Sequence, residues 1–372
     1  MSELEVKTNR LIGMLETEPL DAVLLNAQHN FAWLTGGGSN GVDLSRESGV
    51  ASLLITRSGK RYLLANTIEI ERMLTEELPS GTFDPIEYSW QNEKENTGLV
   101  IEKANSVLQK GAKLGSDVLI DGSVPVVEQK VAACRYELTP EEIGRYKLLG
   151  QDAGTILRNV LNKVSPGNTE LEIAELMRAD MASVGISSVV TLVAADERIA
   201  AYRHPIPTSK KLKDMVMLVT CAKRDGLIVS LTRLACWDTV PAELADKIEA
   251  TAYVNARLLA STRPGAVGSE LYAVAATAYT ETRYPDEIDL HHQGGATGYR
   301  TRDWAAHPQS REVVRINQAF AWNPSITGTK VEETVIVTES GVETITASPD
   351  FPLITTVIDG REYHSPGILI IN

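Results

Sequence analysis

The feature that most constrains the fold is a helical pattern that occurs twice. In this pattern a long helix is followed by a Pro-Gly pair, a Ser or Thr helix cap before Glu-Leu, a second helix and strand-like residues. The same order returns about a hundred residues later. Pro166 and Pro264, which mark the two copies, are 98 positions apart (264 − 166). Such a repeat predicts a duplicated unit of two helices and a sheet, whose halves close around a shared sheet. Chance similarity is the alternative, because capped helices are common.

A domain boundary is predicted just before the first copy. Thr139 can cap a helix that begins at Pro140, and Glu142 completes the capping box. Upstream of this point, short helical and strand-like segments alternate along the chain, as they do in α/β domains. The sequence therefore predicts an α/β domain over residues 1–137, followed by an α+β domain over residues 138–372.

Composition excludes several classes of partner. The chain has 372 residues and a formal net charge of −13, with its basic residues scattered among more numerous acids, so a nucleic-acid partner is not expected. The sequence has neither an apolar run of membrane-spanning length nor the features of a signal peptide, which predicts no membrane partner. Cys134, Cys221 and Cys236 show no metal-binding spacing, and we interpret them as free thiols of a reducing cytosol.

A predicted hairpin raises the question of a site. The segment LVTCAKRDGLIVSLTR predicts a strand over 218–223, a turn over 224–226 and a second strand over 227–233. Its middle positions hold the neutral hydroxyl residues Thr220 and Ser230 and no acid. The hairpin therefore lies where a site could form, but it carries no carboxylate.

Three histidines lie near predicted strand ends. His204 follows the strand SSVVTLVAA in a loop that Pro205 and Pro207 stiffen, and its type of side chain suits proton transfer. His291 and His292 open the segment HHQGGATGY, whose glycines would let the backbone approach a ligand closely. Each histidine alone could be a structural side chain, but the three together indicate a functional site.

Two further segments bear on the site. The glycine-rich runs at 35–41 and 293–298 match no phosphate-binding motif and are predicted to be loops. Near the end of the chain, KVEETVIVTE alternates as a strand, so Glu332 faces the side opposite Val331 and Glu333. Glu332 is therefore either an acid of an enclosed site or a solvated strand residue.

Together these segments resemble the pita-bread aminopeptidases, which include aminopeptidase P, prolidase and methionine aminopeptidase, and their relative creatinase. The resemblance lies in HNFAWLTGG, RYELTPEEIGRYKLL and SPGNTELEIAELM, and in the order hairpin, HHQGG, NP, KVEETVIVTESG. It covers nearly the whole chain. It implies the pita-bread fold for the second domain, hydrolysis of a C–N bond, and a homodimer.

The resemblance also implies where metal ligands would lie. The related peptidases hold two metal ions with two hairpin aspartates, a histidine and two glutamates. These five positions fall here on Thr220, Ser230, His292, Asn323 and Glu332. Three of the five have lost their charge, and neutral oxygens bind transition metals poorly. We therefore expect no dinuclear metal site and no cofactor, with a single divalent ion on His292 and Glu332 as the alternative.

Catalytic roles follow from the retained residues and from creatinase, which the resemblance gives as a metal-independent precedent. His204 is expected to move a proton to and from water and the leaving nitrogen. His292 and Asn323 are expected to donate hydrogen bonds to a developing oxyanion. Glu332 is expected to orient water or to bind a cationic part of the substrate.

Substrate binding is assigned to four more residues. Arg203 and Arg302 are expected to bind a carboxylate, with structural ion pairs as the alternative. Thr220 and Ser230 would line the pocket. We expect a creatinase-like or aminopeptidase P-like hydrolase that cleaves a C–N bond of a small polar metabolite or short peptide in the cytoplasm. The alternatives are an X-Pro metallopeptidase with a reduced metal site and a non-catalytic binding protein.

Overall fold

The computed structural model describes residues 1–371 and divides into two compact units, Met1–Arg135 and Tyr136–Asn372. The division after residue 137 that the capping box predicts lies close to this boundary. Among the described residues, no helix has the length and apolar character needed to span a membrane.

The first unit alternates helices and strands. Its helices are α1 Glu3–Thr17, α2 Gln28–Thr35, α3 Ile70–Arg72 (continued by a π-helical turn, Met73–Glu77), α4 Trp90–Glu95, α5 Leu99–Ser106 and α6 Glu128–Arg135. Its strands are β1 Ala22–Ala27, β2 Ser48–Thr56, β3 Arg61–Asn66, β4 Asp84–Tyr88 and β5 Leu114–Ser116.

The five strands of the first unit form one mixed sheet in the order β4-β3-β2-β1-β5. Strand β1 is mostly apolar and β2 contains the apolar run 53–55, and the structure buries these residues, as expected for strands covered on both faces. Ser2 and Glu5 form a capping box at the start of α1, which fixes where this helix begins.

The second unit contains the repeated pattern. Its helices are α7 Pro140–Lys163, α8 Glu170–Ala182, α9 Glu197–Ala201, α10 Ala242–Ser261 and α11 Gly268–Glu281, with a 3₁₀ turn at Pro285–Leu290. Its strands are β6 Ser187–Ala195, β7 Met215–Arg224, β8 Leu227–Trp237, β9 Gly294–Thr297, β10 Trp304–Ala305, β11 Ala319–Trp322, β12 Ser325–Ile326, β13 Thr329–Lys330, β14 Glu333–Thr338, β15 Gly341–Thr344, β16 Leu353–Ile358, β17 Arg361–Pro366 and β18 Ile368–Ile371.

Each copy of the pattern supplies two helices and a sheet. Strands β18-β8-β7-β6 form one sheet and β10-β9-β11-β14-β15 form the other. The sheets meet where β8 passes β14: the Thr232 amide donates to the Glu332 carbonyl oxygen at 3.1 Å, and the Ser230 amide donates to Thr334 Oγ1 at 2.8 Å. The α/β domain followed by a duplicated αα-plus-sheet domain, as the repeat predicts, is confirmed. The predicted hairpin and the C-terminal site segments therefore converge.

Candidate functional site

The β7–β8 hairpin turns through two residues, Asp225 and Gly226, which both adopt positive φ angles of 50° and 80°. This is the conformation that favours Asp-Gly in a tight hairpin. Arg224 pairs with Leu227, so the cross-strand partner of Ser230 is Cys221. Their side chains meet, with Cys221 Sγ 3.3 Å from Ser230 Oγ.

Thr220 lies on the opposite face of the same sheet. Its hydroxyl is 2.9 Å from Ser188 Oγ and 3.8 Å from Met181 Sδ of helix α8. The expectation that Thr220 and Ser230 line one pocket is therefore wrong, because a side chain one residue away along a strand points to the other face. Cys221, interpreted from the sequence as a free thiol, occupies the pocket position instead.

Seven residues form what we call the central cluster: Cys221, Ser230, Thr232, Arg302, Asn323, Lys330 and Glu332. Glu332 is fully enclosed and stands at its middle. Lys330 Nζ lies 2.9 Å from Glu332 Oε2, Thr232 Oγ1 donates to the same oxygen at 2.7 Å, and Arg302 Nη2 lies 3.5 Å from Oε1. Glu332 is thus an acid of an enclosed site and not a solvated residue.

Arg302 spans the other polar groups of the central cluster. Its Nη1 donates to Ser230 Oγ at 3.5 Å, and its Nη2 donates to Asn323 Oδ1 at 3.3 Å. The buried Nε of Arg302 has no hydrogen-bond partner among the described residues. A buried donor without a partner is costly, so this guanidinium retains capacity to bind a further acceptor.

Charge in the central cluster is unbalanced. Burial is the largest influence on Glu332 and raises its pKa, but the Lys330 and Arg302 charges outweigh burial and hold the pKa at about 2. Glu332 is therefore ionised at neutral pH, and one carboxylate faces two cations. The neighbouring acid Glu333 is paired separately with Arg233 at 2.8 Å. The central cluster thus carries one net positive charge.

His204, His291 and His292 form a histidine cluster beside the central cluster. Each offers one ring nitrogen, and these three atoms lie within 4.8 Å of one another. His291 Nε2 is 3.2 Å from His204 Nε2, and the rings of His291 and His292 stack with centroids 4.6 Å apart. The buried Nδ1 of His291 has no partner among the described residues.

The three imidazoles are kept neutral. Burial, followed by the charges of Lys330 and the other two histidines, lowers the pKa of His291 to about 2. Burial and then Arg302 and Lys330 lower the pKa of His292 to about 4, and burial and then Lys330 lower that of His204. The same cations thus act on both clusters, which therefore belong to one site.

An ion pair connects the two segments that carry these histidines. Arg203, next to His204, pairs with Glu287 in the 3₁₀ turn that precedes His291. Its guanidinium also donates to Ser325 Oγ at 3.1 Å and to Thr327 Oγ1 at 2.9 Å. These contacts occupy Arg203, and we leave it out of the substrate-binding residues.

The two glycines of HHQGG allow neighbouring strands of the sheet to pack closely. A Cβ on Gly294 would lie 2.2 Å from the Ala321 carbonyl oxygen, and one on Gly295 would lie 2.2 Å from that of Trp304. The segment 293–298 was predicted to be a loop, but Gly294–Thr297 is strand β9, squeezed between β10 and β11. Close strand packing, rather than ligand approach, accounts for these glycines.

Comparison with known proteins adds independent information. The model of metallopeptidase family M24 matches residues 146–339. An uncharacterized peptidase of Staphylococcus saprophyticus is 20% identical over 355 residues, which cover 92% of this chain and 99% of that protein. An Xaa-Pro dipeptidase of Lactobacillus helveticus is 21% identical over 82% of this chain and 88% of its own length.

Among solved structures, an Xaa-Pro dipeptidase from Bacillus anthracis superposes with a TM-score of 0.79 at 20% identity, covering 99% of this chain and all (100%) of that one. This likeness extends the shared fold over both units. Homologues in the matching family typically hold two divalent metal ions. The expectation that the chain uses no cofactor is therefore contradicted and is withdrawn.

The five positions that would hold two ions do not fit them in this chain. Thr220 faces away from the site, while Ser230 and Asn323 are contacted by a guanidinium. The sole carboxylate already binds two cations, Lys330 and Arg302. Two divalent ions would add four positive charges to a cluster that is already positive, and besides His292 only neutral oxygens and a thiol remain as donors among the described residues.

Proposed function

The chain belongs to metallopeptidase family M24 and is a hydrolase of C–N bonds, and from this premise we propose that its substrate is a short peptide or peptide-like metabolite with a free carboxylate. One observation supports this substrate class above all. The central cluster carries a net positive charge in a buried setting, where an anionic group compensates best.

Arg302 is the residue best placed to bind the carboxylate. Its contacts to Ser230 and Asn323 are long, at 3.5 and 3.3 Å, and its Nε is unpartnered. A substrate carboxylate would exchange these for shorter charge-assisted hydrogen bonds. Lys330, bound to Glu332 at 2.9 Å, holds that acid in place and contributes the second positive charge.

The histidine cluster would face the bond that is cleaved. Neutral imidazole nitrogens can accept a proton from water and return it to a leaving nitrogen. His204 has an exposed side chain on a loop, whereas His291 is more enclosed. We assign the proton exchange with water to His204 and the orientation of its ring to His291, 3.2 Å away.

This proposal covers both X-Pro peptides and creatinase-like small amides, because both present a C–N bond near a carboxylate. The cytoplasmic location and the homodimer remain predictions from the sequence and from the resemblance.

The test is a turnover screen of X-Pro and other dipeptides and of small amidines and lactams, each with a free and with an amidated carboxylate. We expect free carboxylates to react about 10–100-fold faster in kcat/KM, the worth of a charged hydrogen bond. Arg302→Met should abolish this preference, and His204→Ala should lower kcat, whereas His307→Ala should change neither. Equal rates for free and amidated substrates would overturn the substrate class, and binding without turnover would leave a binding protein.

A further inference from the structure

The histidine cluster has the composition of a metal site, and it shares only His292 with the five positions that related peptidases use. We propose that His204, His291 and His292 together bind one divalent transition-metal ion, with zinc as the ion that fits best. The proposal rests on the proposed function for the cleft, and it replaces the role of His204 there, because a ring nitrogen that binds the ion cannot also accept a proton. The ion is held by imidazole donors alone.

Geometry is the first support. Zinc–nitrogen distances are about 2.0–2.1 Å, so two nitrogens on one tetrahedral ion lie about 3.3 Å apart. His204 Nε2 and His291 Nε2 are separated by 3.2 Å. The widest separation among the three ligand atoms is within 4.8 Å. Side-chain rotation of His204 and His292, both exposed, would close the remaining gap.

Donor chemistry identifies the class of ion. Imidazole suits zinc, copper, iron and nickel, whereas magnesium and calcium require oxygen donors. Three neutral histidines with a fourth position open to solvent are the donor set of hydrolytic zinc sites, where a bound water becomes acidic.

Nearby charge sets a condition on the site. Lys330 and Arg302 are close enough to lower the histidine pKa values, and they repel a cation as well. Glu332 offsets one of these charges, and an anion at the open fourth position would offset another. The site should therefore bind zinc more tightly in the presence of a carboxylate ligand such as a dipeptide.

Direct binding tests the proposal without substrate turnover. Full-length protein, stripped of metal by a chelator and dialysed, is titrated with Zn²⁺ in a calorimeter at pH 7.5. We expect one ion per chain, and at least a tenfold loss of affinity in His291→Ala and in His204→Ala. His307→Ala and His364→Ala, two histidines outside the cluster, should bind zinc as the wild type does. Circular dichroism confirms that each variant is folded.

Each outcome is decisive. Absence of stoichiometric zinc binding in the wild type overturns the proposal, as does binding that His204→Ala and His291→Ala leave intact. His204 has an exposed side chain, so its variant keeps the test valid if His291→Ala does not fold. Zinc binding without turnover of any peptide or amide would defeat the proposed function only. Turnover by a protein that binds no stoichiometric zinc would defeat the zinc site only.

Discussion

Glu332 and Asp117 are buried carboxylic acids, one in each unit, and their pKa values move in opposite directions. Burial raises the pKa of both acids. The pKa of Asp117 reaches about 6 because, among the described residues, only backbone amides and Asn30 contact it, while Glu128 lies nearby. The pKa of Glu332 falls to about 2 because two cations contact its carboxylate. The partners of a buried acid, more than its burial, therefore decide its charge.

The same difference separates a structural acid from an acid of the site. Asp117 accepts hydrogen bonds from the amides of Asn26 and Ala27 at 2.8 and 3.0 Å, and so joins two segments of the first unit. Glu332 accepts from side chains alone, including two whose charges exceed its own. An excess of charged side chains around one acid is a feature of binding sites.

The largest effect is expected from breaking the ion pair of Glu332. Lys330→Met should lower the free energy of unfolding by about 3 kcal/mol, because it leaves a buried carboxylate with Arg302 as its sole cation. Urea denaturation at pH 7 measures this change. The double variant Lys330→Met, Glu332→Gln should recover most of the loss, and a single variant within about 0.5 kcal/mol of the wild type would refute the pairing.

A smaller, pH-dependent effect is expected at Asp117. Asp117 has a pKa of about 6 in the folded protein, above the unfolded value of 3.8. Its contribution to the free energy of unfolding is therefore complete below pH 3.8 and is lost as the pH rises through 6. Relative to Asp117→Asn, the wild type should therefore lose about 1.4 kcal/mol of unfolding free energy between pH 5 and pH 8. Urea midpoints of both proteins at the two pH values measure it; parallel curves would mean that Asp117 does not titrate in this range.

The smallest stability effect is expected at Arg203, whose ion pair is only partly buried. Arg203→Met should cost less than about 1 kcal/mol, as should the matched variant Arg257→Met, which breaks the ion pair with Glu281. Only Arg203→Met should weaken zinc binding, by about tenfold, because its pair positions the segments of His204 and His291. Equal zinc affinities in the two variants would show that the Arg203–Glu287 pair has no positioning role.

Much of the fold was predictable because it depends on local signals. Thr139 and Glu142 cap helix α7 and Thr169 and Glu172 cap helix α8 as their spacing predicts. The second copy is less regular, because helix α11 begins at Gly268, one residue before Ser269, the hydroxyl residue expected to cap it. Capping residues act within one turn of a helix, so a sequence shows them directly.

The site was predictable in outline but not in detail. A turn of three residues, 224–226, would pair Thr220 with Ser230, whereas the observed two-residue turn pairs Cys221 with Ser230. A shift of one residue reverses the face of every side chain in a strand. The positive φ of Asp225 decides between these turns, and the Asp-Gly pair was the available signal.

Two site residues escaped sequence analysis for a different reason. Lys330 lies two positions before Glu332, so both fall on one face of an extended chain, and this spacing could have revealed their contact. The contact of Arg302 with Ser230, 72 positions earlier, depends on how the two sheets meet. No local pattern encodes such a contact.

The guanidinium of Arg302 also bears on how this site could change over generations. An aspartate restored at Ser230 would stand beside Arg302, 3.5 Å from the present hydroxyl, and would form an ion pair with it instead of receiving a metal. An acid restored at Asn323 would meet the same side chain. Single substitutions therefore cannot rebuild a two-metal centre here. Arg302 would have to be replaced before acids restored at these positions could bind metal ions.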